Sequence, residues 1–337
     1  MPASCAVYGC QGTELAAEER PFFRDVRPFG YILFARNCAT PAQVRALCHS
    51  LRDAAGDDVP ILIDQEGGRV ARLKPPHWRA RPPARRFGEL YAIDPEAGAD
   101  AAYLCARLIA HELRTVGVNV NCAPVLDVPV PGAHDIIGDR AFSLDPAVVV
   151  ALGRATIDGY LEGGVLPVIK HIPGHGRALA DSHLDLPRVG ASADELTTHD
   201  FVPFKALNYA PVAMTAHVVY EAFDPGRPAT TSFRMVQDVI RRDIGFEHLL
   251  MSDDLSMAAL EGPLAARASA ALSAGCDIAL HCNGKLDEMK DVAREAPPLS
   301  GRNRERCDAA LARLRAPAAL DVEEAEKRLA AMLGPLA

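Results

Sequence analysis

The chain has 337 residues, 49% of them hydrophobic, and a formal net charge of −8. That length suits one large α/β domain or two ordinary ones, with enough apolar residues for a large core. The acidic balance excludes general electrostatic attraction to nucleic acid, and no uninterrupted apolar run is long enough to span a bilayer.

Short apolar runs recur along the chain with helical stretches between them. They are Ser4–Tyr8, Tyr31–Phe34, Pro60–Ile63, Gly117–Cys122, Val165–Ile169, Ala210–Thr215, His248–Met251 and Cys276–Leu280. Most are continuously apolar rather than alternating, as in strands covered on both sides. The stretch Ala101–Val116 is helical, because Leu104, Leu108, Ile109 and Leu113 recur on one face. The cluster Arg79 to Arg86 is interleaved with Pro82 and Pro83 and reads as a solvated loop, with Trp78 as its anchor. At the C-terminus, Gly301–Leu314 and Asp321–Leu333 read as two surface helices completing the outer layer, the second capped by Asp321. Eight β-α repeats without a linker predict an α/β fold, a single-domain (β/α)8 TIM-like barrel spanning 1–337. A doubly wound sheet is the alternative. It lacks its usual nucleotide motifs here, since neither GxGxxG nor a Walker-type loop is present.

Nine cysteines, none in a CxxC pair, fit a reducing compartment; Cys5, Cys122 and Cys276 lie in or beside apolar runs, where Cys behaves as a small hydrophobe. The first residues lack the basic-then-apolar pattern of a secretory signal. A cytoplasmic protein, monomeric and without membrane or nucleic-acid partners, is the expectation.

In a barrel, chemistry gathers at the carboxyl ends of the strands, and here almost every end is charged or strongly hydrogen-bonding. The third run is followed by Asp64-Gln65-Glu66-Gly67-Gly68-Arg69 and Arg72, the fourth by Asp127 and a loop with Asp139 and Arg140. The fifth leads into Lys170-His171-Ile172-Pro173-Gly174-His175-Gly176 and then Asp181-Ser182-His183. The sixth ends at His217, the seventh at Ser252-Asp253-Asp254, the eighth at His281-Cys282-Asn283. Such a rim predicts an enzyme for a polar, densely hydroxylated substrate. Each group also has a plainer reading. Asp64 could cap a turn, His217 could be a satisfied buried histidine, and Asp253 with Asp254 could begin a helix from Leu255. A zinc site using His171, His175, His183 and Asp253 is a further alternative. Against it, Pro173 and Gly174 keep His171 and His175 off one helical face, and Lys170 would repel a cation.

The motifs Asp64 to Arg69, Ile137-Gly138-Asp139-Arg140, Lys170 to Gly176, Asp181 to His183 and Ser252 to Met257 occur in this order. With them the chain resembles bacterial β-N-acetylglucosaminidases of glycoside hydrolase family 3, of the NagZ type, over nearly its whole length. Arg177 departs from the pattern, standing where many relatives have a smaller or acidic residue.

The resemblance implies a retaining exo-β-N-acetylglucosaminidase acting on muropeptides in cell-wall recycling, with no metal or organic cofactor. It assigns Asp253 as nucleophile and His183, paired with Asp181, as acid/base. A carboxylate beside an imidazole fixes its tautomer and favours its protonated form. It assigns Asp64, Arg72, Arg140, Lys170 and His171 to the sugar. A β-glucosidase or glycosyl phosphorylase of the same family, or a sugar-binding barrel without this chemistry, are the competing readings.

Overall fold

Residues 2–178 and 186–334 are described by a computed structural model. Each apolar run becomes a strand because it is buried on both faces. The strands are β1 (Ser4–Tyr8), β2 (Pro28–Leu33), β3 (Ile61–Ile63), β4 (Val120–Asn121), β5 (Leu166–Ile172), β6 (Val212–Thr215), β7 (Leu249–Asp254) and β8 (Ile278–His281). All pair in parallel with their sequence neighbours, and β8 closes on β1 with Ala6 opposite Ala279. The chain is thus a (β/α)8 barrel.

Alternate side chains serve two cores, as the period of a strand requires. Val7, Ile32, Leu62, Val168, Met214 and Leu280 fill the barrel interior. Tyr8, Leu33, Ile63, Ile169, Ala213 and Ala279 face the surrounding helices. Cys5, Cys122 and Cys276 are buried within these cores, and all nine cysteines are unpaired.

Three outer helices share one entry signal, a polar cap followed by proline: Thr40 before Pro41–Ala55, Asp94 before Pro95–Thr115 and Asp145 before Pro146–Glu162. In each, the cap oxygen accepts an otherwise orphaned backbone N–H, and proline supplies a preset φ where its missing N–H costs nothing. Leu104, Leu108, Ile109 and Leu113 are buried along the second helix, as their spacing predicts. The two C-terminal helices differ in position. Gly301–Leu311 places Cys307 and Ala310 in the barrel's interior cluster, while Val322–Leu333, capped by Asp321, packs on Pro95–Thr115. No helix among the described residues is long and apolar enough to cross a membrane.

Two expectations are corrected. The Arg79–Arg86 segment is only partly solvated: Arg81 is buried and bridges Glu112 at 2.5 Å and Glu326 at 2.8 Å, joining two outer helices. Trp78 is buried beside it. No helix begins at Leu255 either; β7 continues through Asp254, a turn follows, and the next helix starts at Leu264.

Candidate active site

A cavity of about 350 Å³ opens at the carboxyl ends of the strands, and Asp64, Arg72, Arg140, Lys170, His171 and Asp253 all line it. Lys170, near the end of β5, is the hub. Its Nζ lies 2.8 Å from Asp64 Oδ1 and 2.6 Å from Glu66 Oε1. Arg140 grips Glu66 with both arms of its fork, Nε at 2.9 Å and Nη2 at 2.8 Å. Arg72 closes the other side, 3.2 Å from Asp64 Oδ2. Burial alone would discharge these groups, but opposite charges at hydrogen-bond distance reverse the effect. Burial works against the Lys170 charge, and Asp64 and Glu66 more than offset it, raising its pKa. Lys170 in turn, with Arg72 for one and Arg140 for the other, holds Asp64 and Glu66 ionised below their usual range.

The β3 loop owes its shape to Gln65. Its amide oxygen accepts from the Arg72 and Leu73 backbone N–H groups at 2.8 and 3.0 Å, and its amide nitrogen donates to the Leu73 carbonyl. The loop is thereby folded back so that Arg72 faces Asp64. Glu66 was not singled out from the sequence. Its signal was its spacing two residues beyond Asp64, the separation that brings side chains to one side of an extended chain.

Asp127, beyond β4, is fully buried and organises the start of the His-rich segment. Its Oδ1 accepts the backbone N–H of His171 at 3.1 Å and of His175 at 2.7 Å, and its Oδ2 lies 2.7 Å from His171 Nδ1. Burial opposes its charge, and the two histidines outweigh that, leaving its pKa lowered. His175 is pushed down to about 4 by burial and by the neighbouring His171, so it is neutral near pH 7.

Asp253 stands near the end of β7. Its Oδ1 accepts the Asp254 N–H at 2.8 Å. Burial opposes ionisation, but His217, His171, the Asp254 amide and Lys170 together keep the Asp253 carboxyl below the usual aspartate range. Asp254 shapes the turn: its carboxylate accepts from Ser256 Oγ at 2.6 Å and from the amides of Ser256 and Cys282. His217 is completely buried and hydrogen-bonded at both ring nitrogens, the satisfied histidine of the two sequence readings.

Asp181 and His183 lie outside the described residues. The chain leading to them is fastened: Tyr220 Oη donates to the Gly174 carbonyl at 2.7 Å, the His134 amide donates to the Ala178 carbonyl at 3.0 Å, and Arg177 Nε lies 2.6 Å from Asp200 Oδ2. On the far side, Arg188–Val189 pairs in parallel with Val219–Tyr220. Among the described residues no three His, Cys, Asp or Glu side chains converge as metal ligands.

A partly buried, ionised carboxylate lining a charged pocket on a barrel rim is an arrangement suited to chemistry on a polyhydroxylated substrate. Comparison with known proteins identifies the class. Residues 13–316 match the glycosyl hydrolase family 3 N terminal domain. The chain is 42% identical over 279 residues to a beta-hexosaminidase of Alkalilimnicola ehrlichii, covering 82% of this chain and 79% of that one. A beta-hexosaminidase of Stenotrophomonas maltophilia is 40% identical over 282 residues, 82% of this chain and 83% of that one. Native NagZ from Neisseria gonorrhoeae superposes with a TM-score of 0.86 at 31% identity, covering 99% of both chains. The chain belongs to glycosyl hydrolase family 3, and it is a glycosidase.

Proposed function

We propose that this protein is a retaining exo-β-N-acetylglucosaminidase that removes terminal N-acetylglucosamine from peptidoglycan-derived muropeptides. A glycosidase of the β-N-acetylhexosaminidase type agrees with the relatives' names and the full-length likeness to NagZ. The observation that carries the mechanism is Asp253: ionised, held at a strand end, and lining the same cavity as the Asp64, Lys170 and Arg140 network. A rigid strand end suits a group that must meet one carbon along a defined line.

In this reading Asp64, Arg72, Arg140, Lys170 and His171 bracket the ring hydroxyls of the sugar. Their polar groups would be left unpaired by an analogue lacking a hydroxyl, which is the source of selectivity. An Asp253 carboxylate oxygen bonds to the anomeric carbon as the glycosidic bond breaks, and His183 gives its proton to the leaving oxygen. Water then cleaves the glycosyl–Asp253 ester, returning a proton to His183, while Asp181 steadies the imidazole in both states. We read the whole chain as one catalytic unit, with the unpaired cysteines fitting a reducing cytoplasm.

The test is to incubate the protein with a slow fluorinated N-acetylglucosaminide and locate the label by peptide mass spectrometry. A label on Asp253 supports the reading. A label elsewhere, or turnover by inversion, overturns it.

A further inference from the structure

Behind Asp253, on the side away from the cavity, three polar side chains are packed where a barrel would ordinarily place apolar ones. Thr215 at the end of β6, His217 two residues on, and Thr230 in the turn Ala229–Thr231 are each completely buried. Their immediate neighbours Ala213, Ala216, Val218 and Ala229 are apolar and equally buried. Burying a hydroxyl or an imidazole here is unfavourable unless every polar atom is paired.

The pairing is complete and has a direction. The Asp254 carbonyl can only accept, so His217 Nε2, 3.0 Å away, carries the proton. Burial pushes the His217 pKa down, so the ring is neutral and Nδ1 offers a lone pair. Thr230 Oγ1 lies 2.7 Å from that nitrogen and donates to it. The Ala216 carbonyl, 3.1 Å from the same hydroxyl, is the longer of the two contacts competing for its one proton. Thr215 Oγ1, 2.7 Å from Thr230 Oγ1, therefore donates to Thr230 and accepts the Asp253 backbone N–H at 3.3 Å. The run begins on the amide of Asp253 and ends on the carbonyl of Asp254. Bonds aligned head to tail polarise one another, so the run is stiffer than its links taken singly.

We propose that Thr230 is a positioning residue for Asp253: through Thr215 and His217 it clamps the Asp253–Asp254 backbone from both ends and so aims the attacking carboxylate. The clamp spans three elements, β6, the 229–231 turn and β7, and it ties the floor of the site to a segment outside the cavity lining. Thr230 does not line the cavity. The Asp253 oxygen already accepting the Asp254 amide is the held oxygen, and Oδ2 is the one left to form the bond. This inference rests on Asp253 as nucleophile.

The experiment compares Thr230→Val with Thr230→Ser, using an aryl β-N-acetylglucosaminide and the slow fluorinated analogue. Valine keeps the shape and removes the hydroxyl; serine restores it. A small misplacement of a reacting group costs up to about 10²-fold, so Thr230→Val is expected to lower kcat roughly 10- to 100-fold with KM within about twofold. The rate of labelling at Asp253 should fall in parallel, and Thr230→Ser should recover most of the loss. Rates are normalised to the folded fraction by thermal melting, and Thr215→Val, which cuts a neighbouring link, must reproduce the split if Thr230→Val folds poorly. Unchanged kcat in the folded valine variants overturns the clamp, as does a loss that serine fails to repair. A label on a residue other than Asp253 overturns the nucleophile assignment instead, whatever the Thr230 variants do.

Discussion

Asp127 holds His171 at two points, the ring Nδ1 at 2.7 Å and the backbone N–H at 3.1 Å, so one carboxylate sets both the position and the tautomer of that imidazole. Nδ1 carries the proton toward Asp127, and Nε2 is left for whatever occupies the cavity. Asp127→Asn cannot accept at every one of these points. Hydrogen bonds to charged groups are worth about 1.5–3 kcal/mol, so kcat/KM should fall roughly 10- to 100-fold. Steady-state kinetics on an aryl β-N-acetylglucosaminide check this, and wild-type kcat/KM in the variant would refute the role.

Glu66 is the counter-charge that lets Lys170 and Arg140 lie side by side in a buried place. Glu66→Gln keeps the shape and removes the charge. Breaking one partner out of a buried ionic set typically costs about 3–5 kcal/mol, so urea unfolding should show a loss of that order. The loosened Lys170 should also raise KM. An unchanged unfolding midpoint would show that Glu66 is not the keystone of the network.

Asp253→Ala removes the proposed nucleophile from a strand end whose backbone is paired on both sides. The fold should persist, with a near-wild-type circular dichroism spectrum. Turnover should fall on the order of 10³-fold or more, as when a nucleophile is deleted from other covalent enzymes. Activity within tenfold of wild type would remove Asp253 from the chemistry.

Gly176 is in its motif because nothing else fits. A Cβ there would come within 2.1 Å of the Val128 carbonyl oxygen and 2.3 Å of its carbon, and two backbones cannot easily part. Gly176→Ala should cost about 1–3 kcal/mol of stability, as overpacking does, and displace the chain just upstream of Asp181 and His183. The measurement is kcat together with the thermal midpoint; a variant normal in both would refute the close approach.

Acidification should destabilise the protein in two stages. His175 and His217, buried and neutral when folded, have lowered pKa values, as do His248 and His281. The unfolded chain protonates such groups near pH 6.5 while folded His175 resists to about 4, so stability declines as pH falls through that window. Asp64, Glu66, Asp127 and Asp253 are also depressed. Their contribution is whole above the unfolded carboxylate values, near 4, and is lost as pH drops below them. Calorimetry from pH 8 to 3 should show both stages, and His175→Gln should shrink the first. A flat profile from pH 6.5 to 4.5 would contradict the buried neutral histidines.

Much of the fold was legible because strands buried on both faces must be apolar throughout, and eight such runs leave few architectures open. The site was partly legible for a related reason: charged groups at the ends of buried strands have no structural explanation unless they meet. Asp64, Lys170, His171, Arg140 and Asp253 stood out this way and do line one cavity. Glu66 did not stand out, and Asp127 was read only as a charge at the end of the fourth run with no partner assigned, since a carboxylate in a loop looks alike whether it is solvated or buried. Arg81 misled for the same reason in reverse, reading as solvated while it bridges two helices.

By itself the sequence determined which runs could be strands and which chemistry-bearing groups stand near their carboxyl ends, because these follow from periodicity and local chain propensity; the strand ends themselves moved, β5 running on to Ile172 and β7 to Asp254. Only the tertiary structure decided who pairs with whom. The link from Lys170 to Glu66, the double grip of Asp127 on His171 and the run from Thr215 through Thr230 to His217 join residues from different strands and turns. Their strength comes from burial, and burial exists only once the barrel has closed.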